Sequence, residues 1–187
     1  MSVVEKAAIF AAQKHQGGIR KGTTLPYIVH PMEAAAIASS LTDDKEIIAA
    51  ALLHDVIEDT GVTKDELSYY FGKRIADIVA NESENKRVNQ KPEDTWGIRK
   101  QETIDRVTKT DDMAVKIVAL SDKLANLRAI YKDKETIGDK VWERFNAKDE
   151  KKHKWYYTSM ADATKELADT VAWKEYNRLL KETFKDT

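Results

Sequence analysis

Apolar residues recur at helical spacing through most of the chain. Near the N-terminus, alanines and a valine recur at the i, i+3, i+4 positions of one helix face up to about His15. No segment of convincing length alternates polar and apolar residues, as a half-buried strand would. The pattern therefore predicts an all-α chain.

Glycines, prolines and capping residues predict where the later helices begin and end. Thr63, with Glu66 three residues on, is typical of a capping box, and Pro31 suits the first turn of a helix. Residues 81–96 are polar, contain Pro92 and lack an apolar period, so we expect a surface loop there. A long C-terminal helix is predicted from Trp155 to about Phe184. The other expected helices cover residues 31–40, 45–57, 74–80, 97–108, 112–131 and 139–145.

Length and charge exclude several classes of protein. The 187 residues fit one ordinary domain, expected over 1–187. Lys and Arg number 31 against 32 Asp and Glu, so the surface as a whole attracts neither nucleic acid nor an anionic membrane. The longest stretch without a formal charge, Gly22 to Met32, is far shorter than the roughly 20 residues of a membrane helix.

The N-terminus and the absence of cysteine narrow the picture further. The first six residues mix acid and base, and the N-terminus has no apolar h-region, so we expect no secretory signal. We therefore expect a cytoplasmic protein. With no cysteine, disulfides, thiolate zinc sites and cysteine nucleophiles are excluded. The chemistry must come from other side chains.

Acidic and histidine residues interrupt two apolar helices. His54 and Asp55 follow a run of seven apolar residues, and Asp122 lies inside VKIVALSDKLANLRAI. A buried carboxylate costs several kcal/mol unless it is paired or binds a metal. Each residue alone also has an ordinary explanation, such as a hydrogen-bonded core histidine or an ion pair of Asp122 with Lys123 or Arg128. Together with His30, just ahead of a helix, they favour a shared metal ion.

Several stretches resemble one known family. AAIFAAQKHQGGIRKGTTLPYIVHP (7–31), AALLHDVIEDT (50–60) and VKIVALSDKLANLRAI (115–130) resemble the HD-domain metal-dependent phosphohydrolases, and WERFN (142–146) and WYY (155–157) extend the match. Within that family the chain is similar to the small alarmone hydrolases and to the hydrolase domain of the bifunctional stringent-response enzymes. The similarity covers about residues 5–160. No synthetase or regulatory domain follows, so the expectation is a stand-alone hydrolase.

The resemblance implies a fold, a reaction and a metal. The fold would be a single-domain HD-type helical bundle. The reaction would remove the 3′-diphosphate of guanosine tetra- or pentaphosphate, giving GDP or GTP and pyrophosphate. By the resemblance, His30, His54, Asp55 and Asp122 match the family's four metal ligands. Two imidazoles and two carboxylates suit a six-coordinate Mn²⁺ ion better than a closed tetrahedral zinc site.

Two further sets of residues match the family's catalytic and substrate positions. Glu58 and Asp59 match an acidic pair implicated in positioning or activating the nucleophilic water, although acids are also common in an exposed loop before a glycine.

Arg20 and Lys21 match an Arg-Lys pair at the nucleotide, and Asn126 matches an Asn at the sugar or base. Tyr27 is a further candidate. Lys86, Arg99 and Lys100 could meet the distal phosphates or belong to a solvated charged loop.

Two other functions stay open at this point. A phosphohydrolase of the same fold could act on another small nucleotide, such as a 3′-phosphorylated dinucleotide cofactor or a nucleoside monophosphate. A nucleotide-sensing module could keep the fold without turnover, but such proteins usually lack some of the six acidic and histidine positions present here. The run Val79–Glu82 departs from the Gly-Val-Thr-Lys sequence usual near this place in the bifunctional relatives. The sequence predicts no oligomeric state.

Overall fold

The computed structural model describes residues 1–185, and within that range the chain forms ten α-helices and two 3-10 segments. An isolated antiparallel bridge between Ile19 and Pro26 is the β pairing in this part of the chain. The all-α prediction is confirmed. No helix in the described range combines the length and the apolar composition that crossing a membrane requires. The helices are α1 (Val3–Lys14), α2 (Val29–Ser39), α3 (Lys45–Leu53), α4 (Val56–Thr60), α5 (Lys64–Phe71), α6 (Lys73–Glu82), α7 (Pro92–Lys109), α8 (Met113–Ile137), α9 (Glu150–Ala163) and α10 (Val171–Thr183), and the 3-10 segments are Gly138–Arg144 and Lys165–Leu167.

Helix α8 is the centre of the bundle. It packs against α2, α3, α6 and α10, and every residue from Ala114 to Ala125 is buried. Its 25 residues span about 37 Å at the usual helical rise. Because neighbours surround its first half, that half has no solvated face. Asp122 and Lys123 are therefore held inside the protein.

Small side chains let α3 approach its neighbours closely. Ala49, Ala50 and Ala51 are fully buried, and α3 packs against both α1 and α2. Ala7 and Ala11, also fully buried, form the facing side of α1. This contact fixes the end of α3, where His54 lies.

Two of the predicted helices are wrong in their extent. The helix expected over 45–57 is divided into α3 and α4, with His54 and Asp55 forming a turn between them. The long helix expected from Trp155 begins earlier, at Glu150, and stops at Ala163. A new helix then starts at Val171, because the Thr170 side chain accepts a hydrogen bond from the Trp173 amide as an N-cap.

The predicted sixteen-residue loop over 81–96 is also wrong in extent. Helix α6 continues to Glu82, and α7 begins at Pro92, so the irregular segment is only 83–91. Proline does not break this helix, because it occupies the first helical position, where its missing N–H has no intrahelical partner to lose. The shorter segment lies beside the cavity described below.

Candidate metal centre

His30, His54 and Asp122 converge at one point in the core. His30 comes from the first turn of α2, His54 from the end of α3 and Asp122 from α8, and all three are buried. The two Nε2 atoms are 3.2 Å apart. Asp122 Oδ1 lies 3.0 Å from His30 Nε2 and 3.4 Å from His54 Nε2. One ligand atom from each residue falls within 4.8 Å of the others, so the three could hold a metal ion.

Asp55 brings a second carboxylate to the same point. Its Oδ2 lies 3.0 Å from His54 Nε2 and 3.5 Å from His30 Nε2. The Tyr27 hydroxyl donates a 2.6 Å hydrogen bond to the same oxygen. The structure therefore brings the four predicted ligands together. It also places Tyr27, a predicted substrate residue, directly against one of them.

The donor set suits a divalent cation. His54 Nδ1 lies 2.7 Å from the Ala51 carbonyl, so a hydrogen on Nδ1 is donated there and Nε2 is the ring nitrogen that faces His30 and the carboxylates. Two imidazole nitrogens that face each other beside two carboxylates leave more acceptors than donors. A divalent cation with mixed nitrogen and oxygen ligands would satisfy them all.

The charges within the cluster stabilise one another. Burial opposes the charged form of Asp122, but the Lys123 ammonium, which bonds it, and the His54 ring hold the pKa of Asp122 well below its usual range. His54 likewise lowers the pKa of Asp55 against the effect of burial. Burial would lower the pKa of His54, but Asp55 and Asp122 raise it well above its usual range. Both carboxylates are thus anionic at neutral pH.

The predicted acidic pair lies on α4. Glu58 Oε2 accepts a hydrogen bond from the Glu84 amide at 3.1 Å, and Asp59 Oδ1 accepts one from Lys86 Nζ at 2.6 Å. Burial, the Glu84 carboxylate and the Asp55 carboxylate together raise the pKa of Glu58. A carboxylate with a raised pKa is a better proton acceptor than an ordinary one.

A cavity of about 520 Å³ opens beside the cluster. The predicted substrate residues border it together with Asp55 and the acidic pair: Arg20, Lys21, Tyr27, Asn126, Asp55, Glu58 and Asp59. One wall is aromatic and is formed by Trp96, Phe145, His153, Tyr156 and Tyr157. The cavity thus combines an apolar surface for a flat ring with charged groups for phosphate.

Arg20 and Lys21 are held in the turn before α2. Arg20 Nη2 donates a 3.0 Å hydrogen bond to Asn126 Oδ1, and its guanidinium carbon lies 5.7 Å from the centre of the Tyr27 ring. Arg144 Nη1 donates a 3.2 Å hydrogen bond to the Lys21 carbonyl. The turn is therefore fixed from both sides.

The cations near segment 83–91 are paired with acids. Arg99 Nη1 and Lys100 Nζ bond the two oxygens of Glu84 at 2.9 and 2.7 Å. Lys86 bonds Asp59, as described above, and lies 3.8 Å from Glu58. All three cations border the 520 Å³ cavity. Each of the three is therefore held at the cavity wall by an acidic partner.

Sequence reasoning missed three charged residues around the centre. The sequence predicts Lys123 only as one possible ion-pair partner of Asp122, which it is, and it assigns Glu82 and Glu84 no place in the site. Glu82 could have been noticed, because it continues the apolar stripe of Ile75, Ile78 and Val79 at the i+7 position. No comparable pattern marks Glu84, whose position depends on the path of 83–91.

Comparison with known proteins identifies the family. The family model described as "HD domain" matches residues 7–148. The chain therefore belongs to the HD-domain family.

Particular relatives refine this assignment. The chain is 33% identical over 138 residues to a guanosine-3′,5′-bis(diphosphate) 3′-pyrophosphohydrolase of Aquifex aeolicus, covering 74% of this chain and 19% of that protein. It is 33% identical over 136 residues to a GTP pyrophosphokinase of Myxococcus xanthus, covering 70% of this chain and 17% of that protein. The chain thus spans less than a fifth of the length of these relatives. The predicted resemblance to alarmone hydrolases is confirmed.

Two solved structures share the fold. A crystal structure of a Listeria monocytogenes EGD-e protein superposes with a TM-score of 0.74 at 30% identity, covering 84% of this chain and 99% of that one. A metazoan ortholog of SpoT, described as hydrolyzing ppGpp, superposes with a TM-score of 0.75 at 21% identity, covering 97% and 96%. At that identity the second likeness shows the fold alone. The HD-type bundle is confirmed.

Proposed function

We propose that this chain is a metal-dependent phosphohydrolase that removes the 3′-diphosphate of guanosine tetra- or pentaphosphate. The products would be GDP or GTP and pyrophosphate. The observation that carries the proposal is the convergence of His30, His54, Asp55 and Asp122 at the edge of a cavity with cationic and aromatic walls. The similarity to a named 3′-pyrophosphohydrolase supports the choice of substrate.

The proposed ligands are these four residues, and Mn²⁺ is the proposed ion. A bound divalent ion would lower the pKa of a coordinated water and polarise the phosphorus. Glu58 is the proposed general base, because its raised pKa and its place on the cavity wall suit it to accept the proton of the attacking water. As the new P–O bond would form, the bond between phosphorus and the ribose O3′ would break, and the proton that Glu58 takes from water would be returned to O3′. Asp59, paired with Lys86, would help to position the water.

The cavity walls provide contacts for the rest of the nucleotide. Arg20 presents a guanidinium on which a purine can stack, and it is oriented by Asn126. Lys21 is exposed beside it and would meet a phosphate. Lys86 and Lys100 lie on the side of segment 83–91, where they could bind the distal phosphates in exchange for their present acidic partners.

The direct test is product analysis. Protein loaded with Mn²⁺ is incubated with guanosine tetraphosphate, and the products are separated by anion-exchange chromatography. The proposal expects GDP and pyrophosphate in equal amounts, and it expects Glu58→Gln to bind Mn²⁺ without forming either. Release of orthophosphate from a 3′-phosphorylated dinucleotide, with no attack on guanosine tetraphosphate, would establish the alternative substrate. Nucleotide binding without any product would indicate a sensing module.

A further inference from the structure

Glu82, the last residue of α6, is a buried acid whose role is not explained by the reaction above. It is 6% exposed, and neither carboxylate oxygen has a hydrogen-bond partner among residues 1–185. Leaving a buried polar group without a partner costs free energy, more so when it is charged. Glu82 borders a second, smaller cavity that His30, His54, Asp55 and Asp122 also line. Its position is therefore tied to the metal centre.

Lys123 interacts electrostatically with both Glu82 and the metal ligand Asp122. Its ammonium donates a hydrogen bond to Asp122 Oδ2, and its side chain is 11% exposed. Burial raises the pKa of Glu82 to about 7, and the Lys123 charge opposes that rise. The Glu82 carboxylate in turn favours the charged form of Lys123. Glu82 and Lys123 both border the smaller cavity beside Asp122, so their opposite charges face the same enclosed space although no direct bond joins them.

Metal binding would change the balance of charges around Lys123. A divalent cation would be neutralised by the carboxylates of Asp55 and Asp122. The Lys123 ammonium would then share Asp122 with the cation in a buried region, which is costly. Glu84 also acts on Lys123, but its two oxygens are already paired with Arg99 and Lys100. An ionised Glu82 supplies the missing negative charge. We assign it no place among the ligands, because neither of its oxygens is hydrogen-bonded to the two imidazoles that the Asp55 and Asp122 carboxylates contact at 3.0 Å.

We propose that Glu82 is a positioning residue of the metal centre, whose carboxylate provides the counter-charge that lets Lys123 hold Asp122 toward the cation. This inference rests on the proposed metal site. In this role Glu82 is not a ligand of the cation and acts through Lys123 and Asp122. A polar or apolar residue at position 82 would leave the four ligands in place but make the loaded site net positive.

The test is a thermodynamic cycle on Mn²⁺ affinity, measured by isothermal titration calorimetry at pH 8 on metal-free protein. Glu82→Gln is expected to weaken Mn²⁺ binding at least about tenfold, which corresponds to about 1.4 kcal/mol. In a Lys123→Met background, the same substitution is expected to change the affinity less than about threefold, because the charge to be balanced is gone. The metal-free melting temperature of Glu82→Gln should not fall, since a costly buried charge has been removed.

Matched controls separate this role from ordinary packing. Glu166→Gln removes the acidic partner of Lys116, another buried lysine of α8, and should leave Mn²⁺ affinity unchanged. Glu82→Ala gives a second variant in case the glutamine side chain disturbs α6, and it should repeat the loss of Mn²⁺ affinity.

If wild-type protein binds no Mn²⁺, the proposed metal site and this inference are both overturned. If it binds and Glu82→Gln binds equally well, only the inference is overturned. An equal loss in the Lys123→Met background would overturn the role of Lys123.

Discussion

The Asn126 side-chain amide donates a hydrogen bond to Asp122 Oδ1 at 2.6 Å. The carbonyl oxygen of the same amide accepts a hydrogen bond from Arg20 at 3.0 Å. One side chain thus orients both a candidate metal ligand and the cation proposed to stack on the purine. We expect Asn126→Ala to weaken Mn²⁺ binding and to raise KM for guanosine tetraphosphate about tenfold, the loss typical of one buried hydrogen bond of about 1.4 kcal/mol.

Arg20→Ala is the comparison variant for this prediction. It removes the proposed stacking group but leaves Asn126 bonded to Asp122, so KM should rise while Mn²⁺ affinity, measured by calorimetry, stays constant. If both variants change KM and neither changes the Mn²⁺ affinity, Asn126 contributes to nucleotide binding but does not orient Asp122 for the metal.

The ligand assignment is tested by metal content. His54→Ala and Asp55→Ala each remove a donor from the cluster, and we expect both purified proteins to lose bound Mn²⁺ and activity. Metal is measured by inductively coupled plasma mass spectrometry after gel filtration. His153→Gln is the control for metal content alone: His153 is also buried, but it stacks on Trp142 and is not one of the converging ligands, so this variant should keep its Mn²⁺. Full metal occupancy in both ligand variants would contradict the assignment.

Glu58→Gln should separate binding from turnover. Glutamine keeps the shape and can still accept a hydrogen bond from the Glu84 amide, but it cannot take a proton from water. We expect a loss in kcat of about 100-fold or more, with Mn²⁺ affinity and KM nearly unchanged. A base works in its charged form, so the raised pKa of Glu58 should place the acid limb of the wild-type kcat profile above pH 4.5. A kcat within about threefold of wild type, about 0.6 kcal/mol, would remove Glu58 from the chemical step.

Glycine is required at position 22 for two reasons, its backbone conformation and the closeness of the Arg144 side chain. Its φ of +74° is unfavourable for residues with a Cβ, and a Cβ there would lie 2.7 Å from Arg144 Nη1. We expect Gly22→Ala to lower the free energy of unfolding by about 1 kcal/mol and to raise KM, because Arg144 must leave the Lys21 carbonyl. Gly17→Ala is the matched control, since Gly17 has a φ of +78° and nothing within 4 Å of the added Cβ. The control should lose stability by denaturant titration but keep its KM.

Glu82 should also make the free energy of unfolding depend on pH. Its pKa is about 7 in the folded protein against 4.5 in the unfolded chain, so the folded state binds more protons between these values. The free energy of unfolding should therefore fall as pH rises from 4.5 to 7, by about 3 kcal/mol from this group. Metal-free Glu82→Gln should show no advantage over wild type at pH 4 and a growing one up to pH 8. Parallel curves for the two proteins would contradict this shift.

Apolar periodicity was sufficient to predict the helical class and the burial of α8. The four metal positions were predicted because acids and histidines inside apolar runs are costly without a partner. The ends of the C-terminal helices could not be predicted, because they depend on capping residues such as Thr170. The apolar pattern continues through these caps, and a single threonine in one sequence is a weak indication of a helix start. The interlocked acids and cations around Glu84 could not be predicted, because they come from segments joined only by the tertiary fold.

The turn between α3 and α4 gives the adjacent pair His54–Asp55 its shared direction. Along an unbroken helix, neighbouring side chains point about 100° apart and cannot easily reach one ion. Here Asp55 has a φ of −95° and a ψ of −6°, outside ideal helical values, and its carboxylate reaches the His54 ring. Transplanting a His-Asp pair into a continuous helix would therefore not recreate this centre. A designed copy would have to include the interruption, and a substitution that joined α3 to α4 would disable the site without changing any ligand.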